Sequence, residues 1–132
     1  MATEDYVSFE TAKLLKEKGF DEECEHAYFN GAFFNKEEYG FVLGDDFTVG
    51  DLVFAPTLQM AMKWLREEKK LNIEVTIVFD RDGGEWHFVY GFNIISLTPP
   101  DYEVKAEDDY PGFETYEEAC EASIKYCLEN LI

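Results

Sequence analysis

The chain has 132 residues, of which 29 are Asp or Glu and 11 are Lys or Arg, a net charge of -18 at pH 7. That length fits one domain, 1–132, able to bury a core without disulfide staples, while the acidity disfavours nucleic acid and anionic membrane surfaces as direct partners, because phosphates would be repelled. With 12 Phe, 8 Tyr and 2 Trp, the core is expected to be largely aromatic, and three irregularly spaced cysteines argue against a secreted disulfide framework.

The first residues, "MATEDYVSFE", have neither the basic n-region nor the apolar h-region of a signal peptide. The longest uncharged run, Trp86 to Pro100, is too short to span a bilayer, so a soluble cytoplasmic protein is expected. Ser8 can cap a helix over Phe9 to Lys18 that turns Phe9, Ala12 and Leu15 inward, with Gly19 at C′ and Phe20 as the hydrophobic contact beyond it. "HAYFNGAFFN" then places Asn30-Gly31 between aromatic runs and predicts a hairpin with strands at 26–29 and 32–35. Within residues 36–53, "GFVL" is a candidate short strand and "GDDFTVGD" reads as turn-rich loop.

Pro56 suits the first turn of a second helix at 57–70, with Leu58, Ala61, Met62 and Leu65 inward, Trp64 on the flank, and Lys69 and Lys70 in the last turn. "NIEVTIVF", the turn "DRDGG" and "EWHFVYGF" read as an antiparallel hairpin, in which alternation at Ile73, Val75, Ile77 and Phe79 points to one buried face; "NIISL" is a candidate extension. Residues 98–113, carrying Pro99, Pro100 and Pro111, read as a long acidic connection. In the last helix, 116–131, Tyr116, Ala119, Cys120, Ser123, Ile124, Cys127, Leu128 and Leu131 share one face. Thr115 and Glu118 have capping-box spacing. Seven helical residues set Cys120 and Cys127 about 10.5 Å apart along the axis at about 1.5 Å each, beyond disulfide reach. Both therefore read as buried stripe residues.

These elements predict an α+β fold in the order α-ββ-α-ββ-α: an antiparallel sheet of about four strands with the helices on one face. Aromatics of the other face, including Tyr28, Trp86, Phe88 and Tyr90, are candidates for an exposed partner surface, as are Glu117 and Glu121 on the acidic side of the last helix.

Three segments, "SFETAKLLKEKGFDEEC" (8–24), "APTLQMAMKWLREEKKLNIEV" (55–75) and "YEEACEASIKYCLENLI" (116–132), together resemble a recurrent family of small uncharacterised proteins of Bacteroides-type gut bacteria and their phages and mobile elements. The family has no assigned activity and supplies no functional residues. The resemblance implies a bacterial cytoplasmic setting and a mobile-element origin.

Catalytic and cofactor signatures are weak throughout. Cys24 and His26 with His87 offer at most three metal ligands, where a structural zinc site needs four. A Cys24 nucleophile has no nameable orienter or oxyanion donor. "DRDGGE" (80–85) lacks the third ligand and distal glutamate of a calcium loop and reads as a hairpin turn, and "GDD" (44–46) reads as a turn. No Walker loop, dinucleotide fingerprint or HExxH helix is present, so no cofactor is expected. The sequence points to a non-enzymatic binding or accessory protein whose partner is a protein, a second copy of the chain included. The alternative is a carboxylate-rich mimic of nucleic acid that inhibits a host DNA-binding protein. An enzyme of unknown class ranks third, since nothing assembles a nucleophile, a base and a stabiliser.

The charge gives a first testable consequence. Folding crowds the carboxylates, and salt shortens the screening length to about 8 Å at physiological strength. The melting temperature is therefore expected to rise between low and physiological sodium chloride. A midpoint that falls with salt would show that local ion pairs outweigh the global repulsion.

Overall fold

Two antiparallel hairpins organise the chain, and each gains a third strand. The computed structural model describes residues 5–38, 52–82, 84–99 and 103–132. The chain divides into two units, Met1–Ala61 and Met62–Ile132, with the boundary inside a helix. Helices and antiparallel sheets make the fold α+β as expected, and the described strands lie in two sheets, three in each.

In the first unit, α1 (Phe9–Glu17) begins where Ser8 Oγ accepts from the Thr11 amide at 3.2 Å, so one orphan amide of the first turn finds its partner. The same hydroxyl donates to Thr11 Oγ1, which lets a threonine sit fully buried on the inner face beside Ala12 and Leu15. At the other end the Phe20 amide donates to the Leu15 carbonyl at 2.9 Å and the Gly19 amide to that of Lys16 at 3.2 Å, a Schellman motif. Gly19 has φ +103, a conformation that any β-carbon would strain.

Strands β1 (His26–Phe29) and β2 (Ala32–Asn35) meet at Asn30 and Gly31, with φ +51 and +81, the two left-handed residues of a type I′ turn. The third strand, β3 (Leu52–Phe54), pairs with the free side of β1, giving the order β2-β1-β3. Ala27 is thereby flanked by Phe34 and Phe54 in the register, a small residue between two large ones. Asn35 opens a further helical turn, its Oδ1 accepting from the Glu38 amide at 2.9 Å while Glu38 Oε1 reaches back to the Asn35 amide at 3.5 Å. The expectations for "GFVL" and "GDDFTVGD" lie outside the described residues.

Helix α2 (Leu58–Glu68) carries the unit boundary. Thr57 Oγ1 accepts from the Met60 amide at 3.1 Å, so Thr57 caps the helix and the buried Pro56 precedes it. Leu58, Ala61, Met62 and Leu65 are buried as their spacing predicts, and Trp64 is buried with them. Lys69 Nζ lies 5.4 Å from the Trp64 ring centroid, a cation-π contact.

In the second unit, β4 (Leu71–Asp82) and β5 (Glu85–Ser96) pair over twelve consecutive residues without a register shift. Asp80 to Asp82 therefore belong to a strand, and the expected five-residue turn contracts around Gly84, at φ +88. The stretch expected as a loop contains β6 (Val104–Phe113), giving the order β4-β5-β6. Opposite β6 the register jumps from Tyr90↔Phe113 to Phe92↔Asp108, so a bulge absorbs the extra residues. Gly112 sits in that bulge at φ +82, where an added β-carbon would come within 2.5 Å of Val89 Cγ2.

Helix α3 (Tyr116–Tyr126) and a π-helical turn (Cys127–Leu131) cover this sheet. Ala119, Cys120, Ser123, Ile124, Cys127 and Leu128 are buried, as the stripe predicts; at its two ends Tyr116 is exposed and Leu131 half-buried. Burying residues such as Ile124 and Leu128 stabilises by about 1.5–3 kcal/mol each relative to exposure. The buried Ser123 hydroxyl donates to the Cys120 carbonyl at 2.8 Å.

Thr115 Oγ1 accepts from the Glu118 amide at 3.1 Å, the N-cap bond of α3. Thr115→Ala is expected to lower stability by about 1 kcal/mol, read as a lower denaturant midpoint with an unchanged slope.

Candidate functional site

Residues paired across an antiparallel ladder point to the same face, and that face recurs every second residue. Ile73, Val75, Ile77 and Phe79 on β4 thus share a face with Ile94, Phe92, Tyr90 and Phe88 on β5, and Trp86 continues the row. Over the half nearest Leu71 this face is core: Ile73, Phe92 and Ile94 are buried, and α3 packs against the sheet. Beyond it the same face is open. Ile77 is 54% exposed, Phe79 70%, Trp86 69% and Phe88 52%.

The reason is a mismatch of lengths. A twelve-residue strand runs about 40 Å at about 3.3 Å per residue, whereas the sixteen residues of α3 and its π turn reach about 24 Å at most. One helix cannot cover the whole face. The opposite face of the hairpin is mostly polar, with exposed Glu74, Thr76, Glu85 and His87 around the half-buried pair Val78 and Val89.

Aromatic rings link the open face to the helix. Phe79 and Phe88 lie 6.5 Å apart between centroids, Phe88 and Tyr90 5.8 Å, and Tyr90 and Tyr116 6.1 Å, all edge-to-face. The row ends at the first turn of α3, beside exposed Glu117 and Glu118. Asp108, opposite Phe92 in the register, adds a half-buried carboxylate on the same face.

The sequence-predicted surface residues separate on this frame. Trp86, Phe88 and Tyr90 form one row, the first two well exposed and Tyr90 half-buried. They lie on the core-bearing face, not on the opposite one, because their parity matches Phe92 and Ile94. Tyr28 belongs to the other sheet. Its hydroxyl donates to the Val7 carbonyl at 2.9 Å and its ring packs on Phe9 and Phe33, so it ties the N-terminal segment down. Glu117 is exposed next to Tyr116, and Glu121, one turn on, is half-buried. Ile77 and Phe79, expected inside, are the additions to the surface. The signal that could have found them is the count of residues in strand and helix.

The candidate metal ligands do different work. Cys24 is buried, with Sγ donating to the Glu22 carbonyl at 3.3 Å. The His26 ring stacks on Phe33 at 4.8 Å and lies 4.4 Å from Tyr6, serving as an aromatic surface. His87 is exposed on the polar side of β5. Among the described residues there is no group of three or more His, Cys, Asp and Glu that could hold a metal ion, and no helix long and apolar enough to cross a membrane. A cavity of about 340 Å³ lies between the end of α1 (Lys16, Gly19, Phe20, Asp21) and β3 (Leu52, Phe54). Lys16 Nζ donates there to the Leu52 carbonyl at 3.0 Å, which fixes it as a strut.

Burial, reinforced by Glu22, Glu23 and Glu25, pushes the Cys24 thiol up to about 12, and burial alone pushes Cys127 up to about 12. A raised value leaves the thiol protonated at pH 9, where an ordinary cysteine is largely ionised and nucleophilic. Cys24, Cys120 and Cys127 are all buried thiols outside any disulfide. All three are expected to resist a thiol reagent in the folded protein up to pH 9 and to react together on unfolding; rapid native labelling would place a reactive cysteine on the surface.

Comparison of the chain with protein-family models, curated proteins and solved structures found no match, so the reading of this surface rests on its geometry.

Proposed function

We propose that this chain is a non-enzymatic binding protein, an accessory factor of bacterial mobile-element origin, that engages a protein partner through the open aromatic face of the β4–β5 hairpin. One observation carries the reading: four large apolar residues, Ile77, Phe79, Trp86 and Phe88, are more than half exposed on a face continuous with the core. Cross-strand aromatic pairs do stabilise hairpins, by about 0.2–1 kcal/mol each. That gain does not require a Trp and two Phe at a solvent-facing tip, where each leaves apolar surface in water.

The exposed area of the four side chains is on the order of 500 Å². That is near the upper end of the largest patch on a typical monomer, and a stable interface buries about 800 Å² per partner. The patch suits the apolar centre of an interface, with Tyr116, Glu117 and Glu118 at its rim. Nucleic acid remains an unsuitable ligand for a chain of net charge -18.

The test is affinity capture from lysate of a Bacteroides-type gut bacterium with the native chain and with the double variant Phe79→Ser, Trp86→Ser. A partner retained by the native chain is expected to fall at least tenfold in the variant, while the variant's denaturant midpoint corresponds to a loss of no more than about 1 kcal/mol. Equal recovery by both proteins would remove the hairpin face as the binding site.

A further inference from the structure

The two edges of the β4-β5-β6 sheet are built differently. β6 carries the features that blunt an edge: Pro111, which has no N–H to offer, a bulge that breaks its register, and Lys105. Among the described strands β4 is the other edge. From Leu71 to Phe79 it has no proline, lysine or arginine, and its twelve-residue register with β5 has no bulge. A long, regular edge is a template for another strand. On β4 that edge also borders the open apolar face, through Ile77 and Phe79, and the polar face that carries Glu74 and Glu85.

We infer that the outer edge of β4 accepts an extended, basic segment of the partner protein as a fourth strand, its alternate apolar side chains lying over Ile77 and Phe79 and its lysines or arginines over the Glu74 side. The inference rests on the protein-binding reading above and names the chemistry of the partner. Strand addition supplies affinity through main-chain hydrogen bonds and specificity through alternate side chains. Alternation makes the pattern of the incoming chain a consequence of the pattern of β4, apolar on one face and, Val78 apart, polar on the other. Charge chooses among possible strands. Glu74 stands on β4 itself, opposite Asn93, with Glu107 beyond it on β6 and Glu85 on the same face at the far end of the hairpin, and a chain of net charge -18 attracts a cationic segment and repels a second copy of itself.

Three labelled ten-residue peptides test this with the full chain, read by fluorescence anisotropy: alternating lysine and valine, the same peptide N-methylated at every second residue, and alternating glutamate and valine. The expected result is saturable binding of the first peptide, at least tenfold weaker binding of the other two, and at least tenfold weaker binding of the first by Phe79→Ser. Amide exchange of β4 residues 74–79 should slow in the complex. Undiminished binding of the N-methylated peptide would reduce the interaction to charge alone and overturn the inference, as would the absence of binding. Concentration-dependent association of the chain with itself through β4 would assign the edge to a second copy, and also overturn it. A captured partner that depends on Phe79 and Trp86 but is not displaced by the lysine-valine peptide would leave the protein-binding reading standing and sink this one.

Discussion

The constraint on which the second unit depends is the unbroken register of β4 with β5. Twelve consecutive pairs fix the parity of every side chain on both strands. Once Ile73, Phe92 and Ile94 face α3, then Ile77, Phe79, Trp86 and Phe88 are committed to the same face whether or not anything covers them. A slip of one residue would expose the core and bury Glu74 and Asn93 instead. The hydrophobic burial that holds the unit together and the exposed row at its tip are therefore one pattern, divided only by where the helix ends. The edge-to-face contacts from Phe79 to Tyr116 bridge the division, so the open surface is stiffened by the same rings that lead into the core.

Helix ends, where a local chemical signal acts over three or four residues, were the most legible parts of the sequence. Ser8 and Thr115 accept from the amides three residues on, and Gly19 closes α1 with both Schellman bonds. Asn30-Gly31 set its hairpin to the residue, because two positive φ angles leave few other side chains suitable. The strands that were missed have no such signal. β3 is three residues long, too short to show a period, and follows a glycine-rich stretch. In β6 the alternation is broken by the bulge and by Pro111, so a paired strand has the composition of a loop.

The candidate surface was half legible for a related reason. Composition singles out aromatics, and alternation assigns them to a face, but neither says how far along a strand its cover extends. Trp86 and Phe88 are candidates for an exposed surface by composition; both are exposed, on the core-bearing face rather than the opposite one. Ile77 and Phe79 were expected to be buried because the hydrophobic period continues through them; period describes which face a residue is on, and burial also needs a neighbour of sufficient length. Tyr28 shows the converse. Its composition matches the row, but its hydroxyl holds the Val7 carbonyl in another sheet, a long-range bond that no local pattern encodes.

The charge of the chain bears on how an edge as regular as β4, without a partner among the described strands, is kept from other copies. Proteins commonly protect such an edge with lysine, proline or a bulge, and β4 lacks all three between Leu71 and Phe79. Two copies approaching edge to edge would each bring a net charge of -18, so repulsion acts where local protection does not. This protection is selective in a way that a proline is not: it opposes acidic and self-complementary strands while leaving a basic one attracted. It is also conditional. Salt that screens the carboxylates within one molecule screens them between molecules, so the ionic strength that relieves the folded state of its own repulsion weakens the barrier between copies as well. Stability and solubility then pull in opposite directions along one variable, and the acidity of the chain is better understood as guarding its exposed hairpin than as supporting its core.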